Sequence, residues 1–423
     1  MFKQILKIIW KERKPNAWLF FELMIGFTVL WFCADYLYFI AKRINEPLGK
    51  DISNVYQVRV KVKPEAFLDY DKEKAELMLE DLWTIYDRIK SYSGVEAISI
   101  SRKGYEDIHY MVDSVSVHRG EITQMIVTSE YFDVFKLNLI NGRFFNEEDA
   151  FDSRNVIISG NYKDEFGKKT AEKVEKILGK KPGISQDISN EYNVVGVVEK
   201  NKDKSYNYYS SYVYHPLSKN DKALIETSII YIRVSSNAGN DFPDKFVNDM
   251  YDQISIEPFY LSGITDVETI QDDNIKTAKQ VNERNSMLVI SLFLIFNVFL
   301  GVLGTFWLKI DINRKNIGLR RAVGASKFSI QSMFFQEAMV LLLIASCLGF
   351  ILCFNITLMD ILYDLGIPQA RNIRYKYYEP MPPIQYWINS GLTLLFLFII
   401  VCISVSYPAK KASDIPPAGI IKN

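Results

Sequence analysis

Three kinds of residue in this sequence could carry chemistry by type and spacing: histidines for a metal, a Gly-Lys run for phosphate, and carboxylates for proton transfer. His109, His118 and His215 are scattered, and none sits in H-E-x-x-H or beside a cysteine. They read as solvated or structural histidines. The nearest approach to G-x-x-x-x-G-K-[ST], Gly167-Lys168-Lys169-Thr170, has an extra Lys and no correctly spaced first Gly, so no P-loop is present. Glu147-Glu148 lies in a turn-like acidic run with no base nearby, and no G-x-S-x-G elbow occurs. The expectation is a non-enzyme with no catalytic residue, no metal and no cofactor of its own.

The other notable carboxylates, Glu22, Asp35 and Glu337, are set in apolar sequence. Four stretches, 17–40, 286–308, 333–357 and 387–407, contain 93 residues and only these three charges. Each exceeds the roughly 20 residues a helix needs to cross a bilayer core. Four transmembrane helices are predicted. Glu22 and Asp35 each lie five residues from a boundary, close enough to snorkel to the interface. Glu337, four residues in, either stays at its interface or contacts the loop before it. Asn297, near Gly301 and Gly304, is placed to hydrogen-bond a neighbouring helix where small residues permit close approach.

Lys and Arg are retained on the cytoplasmic side. They crowd the N-terminal 16 residues and the 309–330 loop, so both termini are expected inside a bacterial cytoplasmic (inner) membrane, with 45–283 outside. Residues 2–11 place Phe2, Ile5, Leu6, Ile9 and Trp10 on one helical face. They read either as an amphipathic helix on membrane lipids (1–16) or as a basic topology signal that happens to be helical. The first span lacks a small-x-small cleavage site at its end and reads as an uncleaved anchor. Cys33, Cys347, Cys353 and Cys402 all fall in the apolar stretches, so disulfides cannot stabilise the exported part. Lys plus Arg equals Asp plus Glu at 50, which argues against a nucleic-acid partner.

The fold class expected is an α+β membrane protein, one helix plus three, with a large mixed α/β external domain. Residues 54–63 alternate as a strand, 71–91 read as an amphipathic helix and 95–102 as a strand. The run at 227–235, the helix-like 242–254 and the apolar run near Phe259 repeat that order. These flanking parts, about 45–118 and 217–283, are expected to pack together near the membrane. An inserted subdomain of about 119–216 would carry strands at 122–128, 155–159 and 192–199. The polar stretch 266–283 reads either as one helix continued into the second span or as a solvated helical linker. An external loop, 358–386, and a cytoplasmic tail, 408–423, complete the chain.

The 309–330 loop, KIDINRKNIGLRRAVGASKFSI, offers a short basic helix ending at Gly324-Ala325-Ser326, a turn into the third span. With the early Glu337 it resembles the FtsX-like permease domain of ABC transporters. Arg314, Ile317, Gly318, Arg320 or Arg321, Ala322, Gly324, Ala325, Ser326 and Glu337 match, while the family's Glu is Asn316 here. Residues 128–150 (TSEYFDVFKLNLINGRFFNEEDA), with NVIIS, EFGKK and EYNVVGVVEK after them, resemble a MacB-type periplasmic core domain. The tail from Tyr407-Pro408-Ala409 to Pro416-Pro417-Ala418 resembles that family's ending.

The resemblance implies a permease subunit without its own nucleotide-binding domain. ATP and Mg would be bound by a separate ABC ATPase subunit, which would couple to this chain through Arg314, Asn316, Gly318, Arg320, Arg321, Gly324, Ala325 and Ser326. Glu22, Asn297 and Glu337 are candidate coupling groups in the membrane. It also implies a dimer with a second permease copy or a paralogue, and an external membrane-fusion adaptor as a further partner. The implied action is mechanotransmission for export of peptides, toxins, lipids or lipoproteins. The alternatives are lipoprotein extraction, a scaffold regulating a cell-wall hydrolase, and a membrane-anchored receptor with no ATPase.

Overall fold

The computed structural model of the chain describes residues 9–68, 71–104, 109–112, 116–117, 122–151, 154–160, 176–180, 189–206, 209, 211–239, 241–277, 279–359 and 383–416. The chain divides into a sheet unit, Arg43–Ala278, and a helix unit made of Met1–Lys42 and Lys279–Asn423. Most of the expected N-terminal amphipathic helix, the 360–382 part of the expected external loop, His118 and Gly167-Lys168-Lys169-Thr170 lie outside the described residues.

Helix α1 (Arg13–Asn45) leads into the sheet unit. There follow β1 (Val55–Val62), α2 (Lys72–Lys90), β2 (Val95–Lys103), β3 (His109–Val112), β4 (Ser116–Val117), β5 (Ile122–Val127), β6 (Leu139–Gly142), β7 (Asn155–Ser159), β8 (Lys176–Lys180), β9 (Ser189–Val198) and β10 (Ser211–Pro216). The unit closes with β11 (Ile229–Val234), α3 (Phe242–Ile254), β12 (Phe259–Asp266) and α4 (Val267–Thr277). Among the described residues twelve strands form one sheet in the order β12-β1-β11-β2-β5-β10-β7-β9-β8-β3-β4, with β6 on β9.

The first four positions of that order interleave β1-α2-β2 with β11-α3-β12. β11 sits between β1 and β2, antiparallel to both, and β12 pairs the outer edge of β1. The helices form where apolar residues recur every three or four positions. Met78, Leu82, Ile85 and Ile89 of α2 and Phe246, Met250 and Ile254 of α3 share one core with Val58, Ile98, Ile100, Ile230 and Ile232 of the strands. Asp71 starts α2 by accepting the Lys74 amide at 2.8 Å.

Strands β5, β7, β9 and β10 contribute to a second core. Phe132 and Phe135, at a one-turn helix, meet Tyr214 of the fully buried β10 together with Ile157 and Val198. The string NGRFFNEEDA has a structural job here. Asp149 is buried and accepts from Arg143 at 2.5 and 2.9 Å, from the Asn146 amide at 2.8 Å and from Asn155 at 2.7 Å. The Arg143 guanidinium holds the Asp149 carboxyl down at about 2, from an ordinary 3.8. A depressed carboxyl stabilises the fold above its unfolded pKa, so that contribution is lost as pH falls from about 4 to 2. Arg143→Ala leaves Asp149 without its cation; because Arg143 is half-exposed and Asn146 and Asn155 still donate to the carboxylate, the loss should be about 1–2 kcal/mol, and it should flatten that acid limb of a thermal-stability profile. An unchanged melting temperature and acid limb would show that the clamp contributes nothing.

The expected boundary between the flanking parts and the insertion differs from the structure. The sheet runs unbroken from β2 to β5, with Ser101 opposite Val127. β3, at 109–112, pairs with β8 of the expected insertion and β4, at 116–117, pairs with β3 at the far edge, although the expected boundary near 118 places both in the flanking part. HYMV and SV are too short to show which partner they choose. β8 (KILGK) and β6 (LING) have Gly and few apolar residues and gave no strand signal. α4 begins at Val267, and the expected continuity with the next helix turns on Ala278, which is outside the described residues.

The helix unit contains α1 through Lys42, α5 (Lys279–Ile312), α6 (Arg314–Ala322), α7 (Lys327–Met359) and α8 (Pro383–Ser413). α1, α5, α7 and α8 are long and apolar enough to cross a membrane. Leu23, Phe27 and Trp31 of α1 join Val302 and Phe306 of α5, Leu341 and Ala345 of α7 and Val401 and Val405 of α8 in one core.

Candidate coupling site

α6 is held by apolar contact on one side and left open on the other. Ile317 and Gly318 are buried, whereas Arg314, Asn316, Leu319 and Arg320 are exposed. The helix stops because Gly324 takes φ +101°, with its amide on the Arg321 carbonyl at 3.1 Å and the Ala325 amide on the Arg320 carbonyl at 3.0 Å. Only a residue free of Cβ strain suits that corner. Ser326 then caps α7, its hydroxyl accepting the Ser329 amide at 3.1 Å. Gly-Ala-Ser is thus one helix stop and one helix start.

The corner divides the predicted residues. Arg314 and Arg320 face solvent, and Arg320 reaches Met333 Sδ at 3.0 Å. Arg321 is half-buried and donates to the Ala325 carbonyl at 3.0 Å. It fastens the corner, so less of it is open to solvent than of Arg314 and Arg320, with which it was expected to share a docking surface. Among the described residues Asn316 donates to Asn313, at 3.4 Å. Leu319, Val323 (83% exposed) and Phe328 (78% exposed) supply what charge counting missed. The signal was present, since Leu319 and Val323 are four apart on the side away from Ile317.

Beneath α6 lies a buried ion cluster. Lys309, one of the basic residues that crowd the 309–330 loop, is 2% exposed at the end of α5. Its ammonium lies 2.5 Å from Glu337 of α7 and 3.5 Å from Glu12. Asn16 donates to Glu337 at 3.5 Å and Asn313 to Glu12 at 3.0 Å. Three chain segments meet on one cation, which removes Lys309 from any docking surface. The tail closes the same end, because buried Ala409 and Ala412 let α8 approach closely while Lys327 pairs with Asp414 at 2.6 Å and Lys411 lies 3.8 Å over the Trp307 ring.

The other membrane polar groups stand apart from α6. Glu22 packs against α5: its carboxylate fills the space that a side chain at Gly301 would take, with Oε2 buried and lacking a hydrogen-bond partner among the described residues. Asn297 is exposed on α5 among Phe293, Phe296 and Leu300, and among the described residues it makes no hydrogen bond to a neighbouring helix. Asp35 accepts from Gln385 at 3.0 Å and Asn389 at 2.6 Å, tying α1 to α8.

Residues 288–417, which include this site, match the FtsX-like permease C-terminal family, and residues 38–243 match the MacB-like periplasmic core domain family. The chain belongs to the MacB/FtsX-like permeases of ABC transporters. Among relatives of this MacB-like permease, the macrolide export ATP-binding/permease protein MacB of Neisseria meningitidis is 26% identical over 234 residues, 53% of this chain and 33% of that protein. The protein of the same name from Acinetobacter baylyi is 23% identical over 355 residues, 79% of this chain and 47% of that one. The permease therefore spans a third to a half of the length of these relatives. The solved periplasmic region of MacB from Actinobacillus actinomycetemcomitans aligns with 56% of this chain and 99% of its own, at 16% identity and a TM-score of 0.35.

Proposed function

We propose that this permease receives the motion of an ABC ATPase on α6 and passes it through its membrane helices to an extracytoplasmic sheet unit. The observation that carries the proposal is the capped α6 corner, with exposed Leu319, Val323 and Phe328 beside Arg314 and Arg320. An apolar centre rimmed by cations is the composition a protein partner docks on. The buried Lys309 cluster beneath it gives a push on α6 a direct path into α1, α5 and α7. ATP and Mg belong to the ATPase. Cargo of the peptide, toxin, lipid or lipoprotein class is acted on outside the membrane, with an adaptor as a further partner. A second permease copy completes the assembly, and the exposed apolar α5 face carrying Asn297 suits it.

This reading requires α6 inside and the sheet unit outside. In a background with Cys33, Cys347, Cys353 and Cys402 replaced, a cysteine at Ser236, exposed in the sheet unit, should label with an impermeant thiol reagent on intact cells. One at Ser326, exposed beside α6, should label only after the membrane is broken. The reverse pattern inverts the topology and removes α6 from the reach of any cytoplasmic ATPase.

A further inference from the structure

The loop that follows β9 holds, within the sheet unit, both chain segments that lead to the membrane helices. Lys202 is 0% exposed. Its ammonium donates to the Arg43 carbonyl at 2.6 Å and to the Ser205 carbonyl at 2.8 Å, and it lies 5.5 Å from the centre of the Tyr209 ring. Arg43 is in the last turn of α1, where helix geometry leaves carbonyls unpaired, so Lys202 serves as a cap supplied from a distant loop. Arg43 in turn donates to the Tyr206 carbonyl at 3.3 Å, and the Lys202 amide donates to the Leu48 carbonyl at 2.9 Å. Lys50 pairs with Asp203 at 3.6 Å. On the other side of the loop, Gln271 of α4 donates to the Asp203 carbonyl at 2.5 Å and accepts the Ser205 amide at 3.4 Å.

Most of these contacts are to backbone atoms of the loop or of α1, so they report where those segments are, whatever their side chains. Burying an ammonium is costly unless it is fully hydrogen-bonded, and the desolvation drags Lys202 down to about 8. A solvated linker with the sequence EKNKDKSY would leave Lys202 in water, as it leaves Lys200. The loop begins where β9 ends, and β9 is the strand on which β6, β7 and β8 all pair.

We propose that residues 199–206 are a strap fastening the ends of both membrane-leading segments, α1 through Lys202 and α4 through Gln271, to β9. A displacement of either segment then moves the β6-β7-β8-β9 part of the sheet as one piece. Lys202 and Gln271 are positioning residues, and their role rests on the transmission reading given above.

Hydrogen–deuterium exchange on the full permease with its ATPase in lipid nanodiscs, nucleotide-free against ATP-trapped, tests this. In the unmodified complex, exchange should change in peptides covering both 267–277 and 189–198, by about threefold or more. In Lys202→Met, which keeps the aliphatic stem, and separately in Gln271→Leu, the change at 267–277 should persist and that at 189–198 should fall below about half its size. A full-sized change at 189–198 in either folded variant overturns the strap and leaves transmission standing. No nucleotide-dependent change anywhere in the unmodified complex overturns the transmission reading, and the strap with it. Should Lys202→Met fail to fold, Gln271→Leu decides the outcome alone.

Discussion

Replacing Leu319 and Val323 by Asp should abolish co-purification of the ATPase while the permease stays folded. Both side chains are exposed, so the substitutions remove no core contact, yet they place charges at the centre of the α6 surface. Each apolar anchor desolvated in a complex contributes roughly 1.5–3 kcal/mol, so losing two weakens binding by about 100-fold or more. Arg320→Glu alone, at the rim, should have a smaller and salt-dependent effect. Arg321→Glu should instead lower stability, because its guanidinium holds the Gly324 corner. ATPase bound normally to the Leu319→Asp, Val323→Asp permease would move the docking site away from α6.

The second large effect is expected at Lys309. Lys309→Met leaves the Glu337 carboxylate buried with no cation, an uncompensated charge that costs about 3–5 kcal/mol. Lys309→Met combined with Glu337→Leu removes both charges and keeps the volume, and it should recover most of that loss. The non-additivity, read from denaturant unfolding in detergent as a double-mutant cycle, measures the pair directly. A double variant as unstable as the sum of its singles would mean that the two groups are not coupled.

The parts legible in the sequence were those with long periods or hard composition. Four apolar runs, the α2 and α3 repeats and the Gly324-Ala325-Ser326 stop–start signal each announce themselves within one segment. What could not be read depended on partners far along the chain. Nothing near Lys309 distinguishes it from Arg314 or Lys315; only Glu337 and Glu12, delivered by other helices, make it a core residue. Lys202 is hidden among three lysines of one loop for the same reason. Arg143 and Asp149 were legible as a family string but not as an ion pair, since spacing alone does not show that the chain turns between them. The edge strands β3 and β4 are ordered by β8, and their own few residues carry no such instruction.

The Lys309 cluster also bears on how the chain is built. Glu337 follows Lys309 in the next long helix, so the two charges neutralise one another as soon as α5 and α7 form a hairpin. Glu12 comes from a segment synthesised before the whole sheet unit and reaches Lys309 at a looser 3.5 Å. Biogenesis can therefore leave α1 waiting as an independent anchor while the exported unit folds, and dock it afterwards onto a hairpin that is already electrically balanced.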